Sequence, residues 1–316
     1  MSDSPVERPV VFLMGPTAAG KTNLALELVK RFPLEIISVD SAMVYRHMDI
    51  GTGKPDATTM ARAEHRLIDI RDPEATYSAA EFVHDAGVEI EKIFAQGRIP
   101  FLVGGTGLYF RALWHGLAAM PRADYSIRKR LSAQAEIEGW DKLHDQLAKI
   151  DPISAARIHP NDPQRIQRAL EVFQITGESM TNLIQRSHST GLTASINALA
   201  IAPRDRSHLH QLITCRFDDM LEAGLVDEVK ALRSRPALCR DLASMRAVGY
   251  RQVWEYLETE TDFQTMRQKA IAATRQLARR QLTWLRSEPS IKWFDSSAKE
   301  LVDTVTRHLR SVLQTC

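Results

Sequence analysis

Residues 15 to 22 read Gly15-Pro16-Thr17-Ala18-Ala19-Gly20-Lys21-Thr22, a full match to the glycine-rich phosphate loop G-x-x-x-x-G-K-[ST]. The setting fits as well. An apolar run, VVFLM at 10 to 14, precedes the loop, and the stretch from Thr22 to Arg31 follows with helical apolar spacing at Leu24 and Leu28. The glycines let backbone N–H groups turn toward an anion with no Cβ in the way. A helix N-terminus adds a favourable dipole, Lys21 supplies a mobile positive charge, and Thr22 offers a hydroxyl to Mg2+. The loop predicts a bound diphosphate or triphosphate and does not by itself say which.

The flanking pattern predicts a parallel α/β sheet. LEIISVD (34 to 40) and IPFLVGG (99 to 105) read as buried strands, and HRLIDI (65 to 70) as a weaker one. Between them Ser78, with Glu81 three residues on, opens a helix that ends near Gly97. The rhythm changes near Pro121: to about Ser195 the chain is helical and polar. Asp162-Pro163 starts a helix there that stops near Gly177, and 184 to 195 read as a loop. SINALAIAP (195 to 203) returns to strand character; four helical stretches, a final strand KWFD (292 to 295) and a closing helix follow. The expectation is an α/β core of the P-loop nucleoside-triphosphatase type over 1–119 and 196–316, interrupted by a helical domain over 120–195.

Composition excludes several classes. With 316 residues, 44% of them hydrophobic, the chain can bury a core without disulfides. Its three cysteines, Cys215, Cys239 and Cys316, have neither metal-ligand nor pairing spacing. No apolar run approaches a membrane span, and the first ten residues lack the features of a secretory signal. A cytoplasmic, membrane-free protein is expected, and a monomer. The net charge of +2 says little, but its distribution does: between Gln264 and Ser287 there is no acidic residue among six basic ones, Arg267, Lys269, Arg275, Arg279, Arg280 and Arg286. Such a one-sign segment is either a solvated helix face or the footprint of an anionic partner.

Asp40 closes the second strand, so it is expected at the same crevice as the phosphate loop. Taken alone it reads as a carboxylate that holds Mg2+ through water. Together, however, GPTAAGKT (15 to 22), ISVDSAMVYRHMDIGTGKP (37 to 55), HRLIDIRDP (65 to 73), YSAAEF (77 to 82), LVGGTGLYF (102 to 110), RIHPNDPQRIQRALEV (157 to 172), RAVGYRQ (246 to 252) and TRQLARRQLTWLR (274 to 286) closely resemble the tRNA dimethylallyltransferases, also called tRNA isopentenyltransferases. The resemblance runs in order through nearly the whole chain. It implies transfer of a dimethylallyl group from its diphosphate to N6 of adenosine 37, beside the anticodon. It implies Asp40 as general base, and the phosphate loop, Lys21 and Mg2+ as stabilisers of the departing pyrophosphate. Thr106 and Arg216 match family residues near the donor. Thr106 also reads as a helix N-cap, and Arg216 as the partner of Asp218 or Asp219 on an exposed face.

The resemblance further implies an RNA surface. It comprises Asp40, Ser41, Ala42 and Met43; Thr106; Arg128; Gln164, Arg165, Ile166, Gln167 and Arg168; Arg246, Ala247, Val248, Gly249, Tyr250 and Arg251; and Arg279, Arg280, Gln281, Leu282, Thr283, Trp284, Leu285 and Arg286. A target base in the anticodon stem-loop has to be drawn out of its stack. On an ideal helix Arg275, Arg279 and Arg286 lie within about 40° of one another, with Ala273, Leu277 and Trp284 opposite and expected to pack on the core, and Leu282 intruding on the basic face. Ile166, Ala169 and Leu170 read as core. Met43 stands where the family often has Gln, so base contact there is by packing only or is supplied elsewhere. Three alternatives share the loop: a small-molecule kinase, an adenylate isopentenyltransferase acting on free nucleotide, and a nucleic-acid-binding NTPase.

Overall fold

The structure, a computed structural model, describes residues 8–187 and 191–313. Its contacts divide the chain into two compact units, 1–112 with 193–316, and 113–192. The break falls at Leu113 and Leu192 because Leu192 N–H bonds to the Leu113 carbonyl at 2.7 Å, closing the neck of the insertion.

In the first unit β1 (Pro9–Met14) runs into the phosphate loop and α1 (Lys21–Val29), followed by β2 (Leu34–Val39), α2 (Ala57–Arg62), β3 (His65–Arg66), α3 (Ala79–Ala95), β4 (Ile99–Gly104) and α4 (Gly107–His115), whose last turn crosses into the second unit. All strand pairings are parallel, in the order β3-β2-β4-β1 and continuing through β5 (Ser195–Ala202) and β6 (Lys292–Asp295). Val10 to Met14 are buried on both faces, as a central parallel strand requires. Leu24, Ala25 and Leu28 of α1 pack with Val11, Leu13 and Ile36 on one face, while Phe110 of α4 meets Phe12 on the other. Ser78 caps α3 with the expected reciprocal Glu81 bond. The 65–70 strand shrinks to two residues, because Leu67 and Asp69 adopt left-handed φ values of 64° and 56° and turn the chain off the sheet edge.

After β5 come α10 (Arg206–Glu222), α11 (Leu225–Arg233), α12 (Tyr250–Leu257) and α13 (Phe263–Arg286), then β6 and α14 (Leu301–Leu313). The 24-residue α13 contains all six basic residues of the acid-free segment. Its core face differs from the expected one: Met266, Ala270, Ile271, Ala278 and Leu285 are buried, whereas Ala273, Leu277 and Trp284 are only half-buried. The helix packs against both α10 and α12, so its apolar stripe is broader than a single line, and Leu282 belongs to it.

The second unit holds α5 (Tyr125–Glu138), α6 (Trp140–Ile150), α7 (Pro152–Arg157), α8 (Pro163–Thr176) and α9 (Met180–Arg186) around Leu131, Leu143, Leu147, Ile166 and Leu170. Asp162 caps α8, with Pro163 at its first turn and Gly177 at its end. Residues 184 to 186, expected in a loop, complete α9, which Ser179 caps; 188 to 190 of that expected loop lie outside the described residues. No helix among the described residues is long and apolar enough to cross a membrane.

Candidate active site

Three strand ends converge on one cavity of about 350 Å3. Its walls include Thr17 to Asn23 from the loop after β1, Ser38, Asp40 and Met43 around the end of β2, Gly104 and Gly105 after β4, and Cys215 and Arg216 from α10. β1 lies between β4 and β5, and the chain departs from β1 and β4 toward opposite sides of the sheet. The cavity thus occupies the topological switch point, where α/β sheets hold ligands.

The phosphate loop forms a concave array of N–H groups. Ala18 and Gly20 take left-handed φ values of 64° and 83°, the alternation that turns successive amides inward as an anion nest. Ala19 N–H bonds to the Pro16 carbonyl and Thr17 N–H to Gln281 Oε1, leaving those of Ala18 and Gly20 without a protein partner among the described residues. Lys21 Nζ folds back on the Gly15 and Pro16 carbonyls at 3.0 and 2.8 Å. Burial, followed by the nearby Arg216 charge, pulls its pKa down to about 7, and Asp40 partly offsets them.

Across the cavity, Asp40 Oδ1 accepts from the N–H groups of Ala42 (2.8 Å) and Met43 (3.3 Å). This turn fixes the carboxylate and leaves Oδ2 with no hydrogen bond from the described residues. Arg216 has no carboxylate partner either. Asp218, an expected partner, is taken by Arg267 through two bonds of 2.6 and 2.7 Å. Burial lowers the Arg216 pKa and Asp40 opposes the fall. A half-enclosed, unpaired guanidinium is costly unless an anion joins it. The loop before α2 is shaped around it: Gly53 has φ 65°, and a Cβ there would collide with Nη2. Glu228 holds that loop by accepting from the N–H groups of Asp49, Ile50 and Gly51 and from the Tyr250 hydroxyl.

The Thr106 carbonyl starts α4, and its hydroxyl accepts from Ser41 N–H at 3.1 Å and so ties the end of β4 to the turn that holds Asp40. Gln281 ties a third element in: Oε1 accepts from Thr17 N–H and Nε2 donates to the Gly105 carbonyl, both at 2.9 Å. Sequence reasoning placed Gln281 on the RNA side, and nothing in the pattern of α13 marks it as a brace of the phosphate loop.

The remaining residues divide by exposure. Ser41, Arg246, Arg251, Arg279, Arg280, Thr283 and Arg286 are exposed, and Ala42, Met43, Ala247, Val248 and Leu282 partly so. Gly249, Tyr250 and Leu285 are buried, and Trp284 is half-buried against Phe110, so these four present little to a partner. In the second unit Gln164 and Arg165 are exposed, while Ile166 is fully buried in the core of that unit. Gln167 donates to the Arg128 carbonyl and to Ser132 Oγ. Arg128 and Arg168 both grip the fully buried Glu171.

Mg2+ can be judged from the donor set. Thr22 and Asp40 put hard oxygen ligands on the cavity wall, but the described residues contain no group of three metal-ligating side chains. Mg2+ commonly takes one or two protein oxygens and completes its shell with phosphate oxygens, a donor set that Thr22 and Asp40 can supply.

A parallel sheet with a phosphate loop at its switch point, facing a carboxylate and an arginine with no carboxylate partner among the described residues, defines a P-loop α/β protein. The family model described as IPP transferase matches residues 43–288. Among solved structures the chain is similar to the full-length tRNA isopentenylpyrophosphate transferase of Bacillus halodurans, at 38% identity over 98% of this chain and 97% of that one, with a TM-score of 0.71. It is similar to the tRNA delta(2)-isopentenylpyrophosphate transferase of Staphylococcus epidermidis at 32% identity, over 97% and 100% of the two chains, with a TM-score of 0.70. A eukaryotic dimethylallyltransferase acting on tRNA matches at 25% identity over 98% of this chain and 80% of that one, with a TM-score of 0.80. The chain belongs to the IPP transferase family.

Proposed function

We propose that this protein transfers a dimethylallyl group from dimethylallyl diphosphate to N6 of adenosine 37 of tRNA, releasing pyrophosphate. One observation carries the reading: the free Oδ2 of Asp40 shares a cavity with the phosphate loop and the unpaired Arg216. Alkylation of a weakly nucleophilic exocyclic amine needs a positioned proton acceptor beside the diphosphate, and the fixed Asp40 carboxylate with its free oxygen suits that role. Membership of the family, and relatives whose names specify transfer to tRNA, support the same reading.

The donor's diphosphate lies in the loop, with the N–H groups of Ala18 and Gly20 on its oxygens and Lys21 and Arg216 at its flanks. The extruded adenine brings N6 to C1 of the allyl chain. As the N6–C1 bond forms and the C1–O bond breaks, Asp40 Oδ2 takes the N6 proton and the leaving oxygen's electron pair stays on pyrophosphate. The fixed N–H groups and two cations stabilise that growing charge without reorganising. Mg2+, bound through the diphosphate and the Thr22 hydroxyl, would supply further charge neutralisation. Met43 packs beside the base rather than reading its edge. Arg279, Arg280 and Arg286, Arg246 and Arg251, and Arg128, Gln164, Arg165 and Arg168 of the helical unit supply contacts to the anticodon stem-loop.

The test is mass analysis of unmodified tRNA after incubation with enzyme, Mg2+ and dimethylallyl diphosphate. The expected product gains one C5H8 unit at adenosine 37, and Asp40→Asn binds tRNA but transfers at least a hundredfold more slowly, within the ~10²–10⁴ range of general-base catalysis. Prenylation of AMP but not tRNA, or ADP release from ATP with a small-molecule acceptor, would overturn the reading.

A further inference from the structure

A second groove in the first unit lies outside the donor cavity. It encloses about 590 Å3 at the carboxyl ends of β5 and β6, between α10 and α13. Arg204, Arg206, Arg275, Arg279 and Arg286 line it, all exposed, against one lining carboxylate, Asp295. Asp295 pairs with Arg204 at 3.4 Å and also accepts from Ser297 N–H. The nearby Asp205 is turned into the α10 cap through Ser207. His210 faces Arg206 at 3.4 Å, and burial together with Arg275 and Arg206 lowers its pKa, so it adds no charge. Five cations therefore share one counter-ion, an excess that a polyanion would neutralise.

The groove also has an aromatic wall. Within β6, Phe294 turns toward α14, where it meets His308. Trp293 points the opposite way along the pleat and remains 38% exposed. A large indole left partly in water, beside a line of arginines, is the pairing that single-stranded nucleic-acid sites use: cations on the backbone and a ring for one base. Apart from Trp293, the apolar residues along the groove, such as Leu209, Ala278 and Leu282, are buried or half-buried, so they offer little apolar surface to a folded helix or a lipid surface.

We infer that this groove takes a single-stranded stretch of the substrate RNA next to the extruded nucleotide, with its phosphates on Arg204, Arg206 and Arg275 and one base stacked on Trp293. The inference rests on the proposed tRNA-modifying function and extends its RNA surface to three residues, Arg204, Arg206 and Trp293, beyond the basic face of Arg275, Arg279 and Arg286 expected from the sequence. α10 and α13 contribute walls to both cavities, so the groove and the donor cavity are neighbours along the same two helices.

The test uses the full chain, an unmodified anticodon stem-loop, and fluorescence anisotropy over a salt series. The Arg204→Ala/Arg206→Ala double variant is expected to weaken binding at least tenfold and to flatten the log–log salt dependence by about 0.7 per phosphate lost. Trp293→Ala is expected to weaken binding roughly 5- to 100-fold with the salt slope unchanged, and Trp293→Phe to restore most of it. Affinity for dimethylallyl diphosphate and melting temperature are followed in each variant. Should a variant melt early, 4-thiouridine crosslinking to the unaltered enzyme replaces it, with label expected on the β6–α10 wall. Unchanged affinity and slope in all three variants, or crosslinks confined to other surfaces, would overturn the groove. Absence of any stem-loop binding by the unaltered enzyme would instead remove the proposed function beneath it.

Discussion

Gln281, far along the chain from the phosphate loop, holds the N–H of Thr17 on its Oε1 atom at 2.9 Å while its Nε2 donates to the Gly105 carbonyl at the same distance. One amide thus joins the loop after β1, the end of β4 and the basic helix α13. Its neighbours Arg279, Arg280 and Thr283 face outward, so the helix proposed to meet RNA is the helix that braces the phosphate loop.

Replacing Gln281 separates bracing from charge. Gln281→Ala frees both partners, each worth roughly 1 kcal/mol or more when partly buried, and should lower kcat/KM about tenfold with a small fall in Tm. Gln281→Glu can still accept from Thr17 but cannot donate to Gly105, and it sets a negative charge beside a leaving anion. It should fall well below Gln281→Ala in kcat while melting at a similar temperature. Steady-state kinetics and thermal melts check this ordering; equal kcat values would reduce Gln281 to packing.

Lys21 makes donor binding a proton-uptake event. With its pKa pulled down to about 7 from 10.5 by burial and then Arg216, the free enzyme at pH 8 holds mostly neutral Lys21. A diphosphate favours the ammonium, so its binding at pH 8 should take up close to one proton, and at pH 6 little. Calorimetry in buffers of different ionisation enthalpy measures this, with Lys21→Met as the reference that takes up none. Stability follows the same shift. Between about pH 7 and 10.5 the unfolded chain carries a proton that the folded one lacks, so stability rises with pH across that window. Any excess stability of Lys21→Met should therefore shrink over it. Buffer-independent enthalpies at pH 8 would mean Lys21 is already charged.

Cys215 opens a chemical route to the same cavity. It is a free, exposed thiol on the wall that Arg216 and Asp40 share. Alkylation with N-ethylmaleimide puts a bulky group into a space of about 350 Å3 and should abolish transfer. Saturating dimethylallyl diphosphate should slow the inactivation. Cys239, also free and exposed, is the control: Cys239→Ser should remain sensitive, and Cys215→Ser should keep its own untreated rate. Inactivation of Cys215→Ser at the same speed would place the reactive thiol elsewhere.

The contrast between Lys21 and Gln281 marks how far the sequence could be read. Local rules carry the phosphate loop, the Ser78–Glu81 cap and the Asp162-Pro163 start of α8, because each is written in residues a few positions apart. Asp40 follows from one further rule, that parallel strands present ligands at their carboxyl ends. Long-range pairings have no such signature. Nothing within LITCRFDDML (212 to 221) tells that Asp218 is claimed by Arg267 of α13, freeing Arg216 for the cavity. The core face of α13 departs from the angular expectation for a related reason: a helix packed on two sides has no single apolar line, so an angle that turns Ala273 and Leu277 inward misses Ala278 and Leu285. Trp293 is similar, since only strand pairing and the placement of α14 decide which side of β6 is left open.

Glu171 makes the strongest claim on the helical unit. Its fully buried carboxylate accepts from Arg128 Nε (2.8 Å) and Nη2 (3.1 Å), from Arg168 Nη1 (2.6 Å) and from Asp124 N–H (2.8 Å). Burial alone would push this carboxyl up, but the bonds from Arg128 and Arg168 outweigh it and hold the pKa below the ordinary Glu value of 4.5. Glu171→Gln removes the charge and turns an NH2 group toward arginine donors. Leaving buried cations uncompensated typically costs about 3–5 kcal/mol, here reduced because Arg128 is 42% exposed and water can screen it. The variant should open α5 and α8 to hydrogen exchange ahead of the sheet and loosen the two arginines proposed to meet RNA, weakening stem-loop binding more than diphosphate binding. The depressed pKa sets the pH signature. The ionised carboxylate's contribution is present above about pH 4.5 and is lost as pH falls through the folded-state value. The stability gap between the two proteins should therefore be full at pH 7 and shrink in acid. A gap constant down to pH 3 would assign the loss to packing instead of the charge.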